Sequence, residues 1–200
     1  MYQARCAVYG TEPNSGVLTA LRHGLRELRV AGGFTDHDML PLADLLLCGG
    51  QADPCDLTTE ALFDEWCAEA KCLRPQVAAV CRRIARLDFT RAMHRWGNRP
   101  RSGLRSHGAV SLAKVLERNT TVAEVRLDRN KIGAYGAAAL GRSLAQQSSP
   151  GVKVLRLRGC SIGERGARAL AEHLICPGIN LAQEFASRTL LDYPDPLGPR

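Results

Sequence analysis

Aromatic residues are scarce: four Phe, four Tyr and two Trp make up 5% of the 200 residues. Single-stranded nucleic acid is held by stacking bases on aromatic side chains, so this composition argues against such a role. No apolar run approaches the about 18 residues of a membrane-crossing helix. The N-terminus has no apolar core, and Glu12 and Glu27 interrupt its cations, which argues against a secretory signal or a mitochondrial presequence. There is no GxxxxGK(S/T) loop to cradle a phosphate and no GxSxG turn to present a serine. The histidines, at 23, 37, 94, 107 and 173, are scattered. His37 between Asp36 and Asp38 resembles a metal or acid–base cluster but reads as a polar loop. Eight cysteines, at 6, 48, 55, 67, 72, 81, 160 and 176, include no CxxC pair. The spacings of Cys48, Cys55, Cys67, Cys72 and Cys81 match no common zinc module, so the reading is buried reduced thiols in a cytoplasmic protein. No catalytic residue, cofactor or metal is expected.

What the chain does contain is a repeat. VAEVRLDRNKIGAYGAAALGRSLAQQ from Val122 matches VKVLRLRGCSIGERGARALAEHLICP from Val152 at a constant offset of 30 residues. Val125/Leu155 and Leu127/Leu157 are two apart, which places both on one face of a short strand. Asn130/Cys160 and an Ile-Gly pair follow. Gly136/Gly166, Leu140/Leu170 and Leu144/Leu174 are four apart, the stripe of a helix. Each unit is therefore strand, turn, helix. A fixed period near 30 predicts a solenoid whose units bury their apolar sides only against neighbours, with a parallel sheet on the concave face and helices outside.

Two weaker units lie upstream. Ile84, Leu87 and Phe89 fit the strand half, and Leu104, Gly108, Leu112 and Leu116 fit the turn and helix half. Between them this unit carries an insertion, RAMHRWGNRP from Arg91 to Pro100. A first unit without the glycines runs from Leu25, Leu28 and Val30 through Phe34 to Leu42 and Leu46.

The pattern LxxLxLxx(N/C)xIGxxGxxxLxxxL resembles the leucine-rich repeat of the ribonuclease-inhibitor-like subtype. NOD-like receptors, Ran GTPase-activating protein and many ciliary and centrosomal proteins use that subtype. The resemblance implies an α/β fold, a short right-handed horseshoe, with the Asn130 and Cys160 side chains satisfying backbone groups in the turn after the strand. Residues 1–24 read as two short helices, with Asn14 or Ser15 capping the second. The string YxxxCxxxGxxPNSxxLxxL looks like the lead-in before the repeats in cytosolic and ciliary members. The expected organisation is an N-terminal helical cap at 1–24, a degenerate repeat at 25–48, an insertion with one helix at 49–83, repeats at 84–175 and a cap or irregular tail at 176–200. In the insertion, Trp66 is expected as a core anchor, Arg74-Pro75 as a helix break, and Val77 to Cys81 as the lead-in to the next strand. The tail either folds over the last repeat or marks an array that is longer in its natural form.

Net charge is +7 with a pI near 9.2, which favours acidic partners. Side chains alternate across a strand, so Arg29, Asp88, Arg126 and Arg156 share the concave face with Glu27, Arg86, Glu124 and Val154. Arg126 and Arg156 stack as a column flanked by Lys153 and Arg158, and Glu124 and Asp128 partly neutralise it. The inserted loop offers a second cationic surface in Arg91, Arg95, Trp96, Arg99 and Arg101. Arg and Trp are favoured interface anchors. The expected function is a non-enzymatic scaffold or adaptor that binds a protein with an acidic surface, in the cytoplasm and from the resemblance in a cilium, centrosome or other cytoskeletal assembly. Nucleic acid is not an expected partner. The family also implies two alternatives: a regulator of a small GTPase, and a fragment of a NOD-like innate immune sensor.

Overall fold

The computed structural model describes residues 1–30, 32–49, 57–71, 74–90, 103–146 and 151–174. The chain opens with α1 (Tyr2–Val8), which buries Tyr2 and Cys6. Asn14 accepts hydrogen bonds from the Gly16 and Val17 N–H groups and so caps α2 (Ser15–His23). Gly24 ends α2 in the left-handed conformation, φ +57°. β1 (Glu27–Arg29) buries Leu28 between two charged residues. Val30 and Phe34 follow into the core and lead to α3 (Met39–Gly49), whose Leu42, Leu45 and Leu46 are buried. Leu25, expected in that core, is 43% exposed. It lies just past the Gly24 turn, on the side of β1 that no earlier unit covers.

The segment 49–83 holds two described helices, not one: α4 (Leu57–Glu69) and α5 (Arg74–Arg83). Pro75 does not stop a helix here; it stands in the first turn of α5, where a missing N–H costs no intrahelical bond. Val77 to Cys81 are accordingly helical rather than a lead-in to a strand. Both helices pack against α3. Trp66 on α4 is half-buried and takes the Arg5 guanidinium on its face, 3.9 Å from the ring centroid.

The remaining units repeat one plan. β2 (Arg86–Asp88), flanked by buried Ile84 and Phe89, precedes α6 (Ser106–Arg118). β3 (Glu124–Arg126) precedes α7 (Gly133–Ala145), and β4 (Val154–Arg156) precedes α8 (Gly163–Leu174). The four strands form one parallel sheet in chain order, with Leu28, Leu87, Val125 and Leu155 in register. The helix after each strand packs on the helix after the next: α3 on α6, α6 on α7, α7 on α8. A helical layer thus runs in the same order as the sheet, and the aliphatic core lies between them, with Phe34 and Phe89 in contact at 5.6 Å. The architecture is α/β, as expected.

Asn130 and Cys160 make the backbone bonds expected of them. Asn130, 1% exposed, donates from Nδ2 to the carbonyls of Phe89 (3.0 Å) and Leu127 (2.8 Å) and accepts from Leu104 N–H (3.1 Å). It joins the end of its own strand to the unit before it. The Cys160 thiol donates to the Leu127 carbonyl at 3.0 Å, and burial pushes its pKa up to about 12. It is a hydrogen-bonding thiol rather than a nucleophile.

The glycines separate into two kinds. A Cβ on Gly166 would stand 2.9 Å from the Ala134 Cα of α7 and closer still to Ile162 Cγ2, so the close approach of α7 and α8 requires its absence. Gly163, at φ +66°, has open space around it and is constrained only by its backbone. We expect Gly166→Ala to destabilise by about 2 kcal/mol through overpacking, and Gly163→Ala by about 1 kcal/mol through left-handed strain. Thermal melts of the two variants rank them; a harmless Gly166→Ala would mean that the two helices do not approach so closely.

Candidate protein-binding face

The outward residues of the four strands form two in-register rows. One is Glu27, Arg86, Glu124 and Val154; the other is Arg29, Asp88, Arg126 and Arg156. Charges alternate along each row until β4. Arg86 bridges Glu27 at 3.1 Å and Glu124 at 2.5 Å. Glu124 also accepts from Arg126 at 2.6 Å and faces Arg156 at 3.9 Å. In the second row Asp88 lies 3.9 Å from Arg29 and 4.0 Å from Arg126. Its other oxygen accepts the Thr90 N–H at 2.8 Å, so this nearly buried carboxylate has a partner on each oxygen.

Glu124 is the centre of this network. Burial acts to raise its pKa, but hydrogen bonds from Arg126 and Arg86 and their charges outweigh that and hold it below the ordinary carboxylate range. The Arg86 pKa is raised above its usual value, first by the bond to Glu124 and then by the bond to Glu27. Cross-strand ion pairing on this face is one reading of the sequence, and Arg86 and Asp88 are its internal counter-ions. The signal was available as opposite charges alternating down both rows.

Arg126 and Arg156 are in register on the last two strands, and Lys153 and Arg158 flank β4 in the chain. They are not equivalent. Arg126 is half-buried and committed to Glu124, whereas Lys153, Arg156 and Arg158 are exposed. Asp128 spends one oxygen on the Arg158 N–H at 2.8 Å, which orders the turn after β4. On the first two strands Glu27 and Asp88 balance Arg29 and Arg86. On the last two, four cations stand against Glu124 and Asp128, so the excess positive charge sits at β4. Arg91, Arg95, Trp96, Arg99 and Arg101, and the tail from residue 175, lie outside the described residues.

Asp36, His37 and Asp38 do not converge on a common point. Asp36 accepts the Arg105 N–H, Asp38 accepts from the backbone and hydroxyl of Thr35, and His37 Nε2 meets the Tyr9 carbonyl at 2.8 Å. They tie the turn after β1 to α1 and to the start of α6. Among the described residues no group of side chains has the arrangement of a metal site, and no helix is long and apolar enough to cross a membrane. No family model matches the chain, and no curated protein matches it.

Proposed function

We propose that this chain is a leucine-rich-repeat solenoid of the ribonuclease-inhibitor-like subtype that acts as a non-enzymatic scaffold, presenting its sheet face to a protein with an acidic surface. The observation that carries the reading is the run of exposed cations in and around β4: Arg156, in register with Arg126, and Lys153 and Arg158 on either side of the strand, against few internal carboxylates. Support for the repeat assignment is the backbone bonding of Asn130 and Cys160 and the strand order. A rigid face with charge excess at one end orients a partner and speeds its encounter. The resemblance adds a cytoplasmic, ciliary or cytoskeletal assembly as the proposed setting.

The test uses full-length protein and a labelled peptide of ten glutamates. Reversing two exposed charges, Arg156→Glu with Arg158→Glu, is expected to weaken binding about tenfold at low salt with the melting temperature unchanged. Reversing Arg29, at the balanced end, should have little effect. Equal loss from both changes would reduce the interaction to overall charge and remove β4 as the site. Cross-linking of the tagged protein in lysate then asks whether a natural partner attaches near Lys153.

A further inference from the structure

The opposite end of the sheet is formed by β1. β1 is the first strand, and no described strand lies beyond it. In a parallel ladder a given neighbour is served by alternate residues. Arg86 N–H donates to the Arg26 carbonyl and Val30 N–H to the Asp88 carbonyl, so Arg26, Leu28 and Val30 turn their backbone groups to β2. Glu27 and Arg29 therefore turn theirs outward. At the other interfaces the equivalent groups are used: Glu124 N–H reaches the Ala85 carbonyl and Val154 N–H the Ala123 carbonyl.

A groove of about 350 Å³ runs along this edge, lined by Leu25, Glu27, Arg29 and Val30 of the strand side and Ser15, Gly16, Thr19 and Ala20 of α2. The four α2 residues pair at spacings of four, so they share one face of the helix, and all are small. A small-residue wall beside an unpaired strand edge leaves room for a backbone to approach.

The two charge rows state what that chain must carry. Reading outward from β3, the rows run Glu124, Arg86, Glu27 and Arg126, Asp88, Arg29. Continuing the alternation puts a cation opposite Glu27 and a carboxylate opposite Arg29, with an apolar residue between them facing the core. We propose that the groove between α2 and β1 captures an extended peptide segment of a partner protein bearing a basic–apolar–acidic triplet, added parallel to β1 as a fifth strand. Its central residue donates its N–H to the Glu27 carbonyl and accepts the Arg29 N–H, and its charged neighbours pair with the Glu27 and Arg29 side chains.

The probe is the acetylated peptide ARLDFT, which has this triplet and copies residues 85–90. It is labelled and titrated with the full chain by fluorescence anisotropy. The expected result is saturable binding, about tenfold weaker for ADLRFT, in which the two charges trade places and every other feature is kept. Methylating the leucine nitrogen of ARLDFT should cost at least as much, because it removes the donor to Glu27 without touching a side chain. Thr19→Phe, at an exposed position of the groove wall, should abolish binding and leave the melting temperature unchanged. Equal affinity for the two charge orders, indifference to N-methylation, indifference to Thr19→Phe, or no binding would each overturn the proposal. So would a concentration-dependent dimer dissolved by Thr19→Phe, which would give the edge to a second copy. The β4 charge reversal should not affect this peptide, which keeps the two surfaces separable.

Discussion

Replacing Asn130 by alanine is expected to destabilise the protein by about 4 kcal/mol, one of the largest losses available from a single polar side chain. The change leaves Leu104 N–H and the Phe89 carbonyl without their partner in a site closed to water, while the Leu127 carbonyl keeps the Cys160 thiol. An unsatisfied buried group costs about 1–3 kcal/mol, and two of them, with the weakened bonding at Leu127, bring the loss to about 4 kcal/mol. For a chain of this size the melting temperature should fall by roughly 10 °C. Asn130→Asp adds a signature of its own. The introduced carboxylate keeps the acceptor for Leu104 but points its other oxygen at two carbonyls, which favours its protonated form and raises its folded pKa. A raised pKa means stability that is present at low pH and is lost as pH rises through the folded value. The deficit of Asn130→Asp relative to wild type should therefore be smaller at pH 5 than at pH 7, whereas that of Asn130→Ala should not change. Denaturant unfolding at both pH values checks this, and a pH-independent deficit for the aspartate variant would show that water reaches the site. Because repeat arrays couple only through neighbours, hydrogen exchange should locate the loosening at the junction of β2 and β3.

Asn130 was legible because its environment is local and periodic: the residues it serves belong to the same unit or the one before. The same holds for the strand cores and the glycines, which recur at 30-residue spacing. What the sequence did not reveal depends on contacts that no period describes. Pro75 has the same composition signal as a helix break or a helix start, and only the neighbouring α3 surface decides between them. Leu25 has the apolar character of a core residue but lies beside β1, the first described strand of the sheet, where no described strand covers it. The cationic column was visible in Arg126 and Arg156. Its partial neutralisation through Arg86 and Asp88 depends on which rotamers the row permits. The charge rows read as a list of residues become a statement about binding only when the register is known, since a shift by two positions would pair like charges, Glu27 with Asp88 or Arg29 with Arg86.

The junction between the N-terminal helices and the array is the case furthest from any sequence signal. Arg5 and Asp44 are 39 residues apart and belong to different periodic patterns. Arg5 donates from Nε and Nη2 to Asp44 Oδ2 at 2.9 and 2.6 Å, Tyr9 donates its hydroxyl to the same oxygen at 2.9 Å, and Trp66 covers the guanidinium. The Arg5 and Asp44 side chains are 11% and 19% exposed. Burial acts to lower the Arg5 pKa, and the bond and charge of Asp44 reverse that. Asp44→Ala should therefore cost about 3 kcal/mol, because it strands a cation away from water against an aromatic face. Converting both partners to apolar residues, Arg5→Met with Asp44→Leu, should recover most of the loss, since no uncompensated charge remains. The double-mutant cycle measures the coupling directly, and high salt should change it little because the pair is largely shielded. If Asp44→Ala proved nearly silent, Arg5 would have to swing out to solvent at small cost, and α1 would be only loosely held. The stacking on Trp66 argues for the opposite outcome, in which α1 loses its place on α3 and α4 when Asp44 is removed and regains it when Arg5 is removed as well.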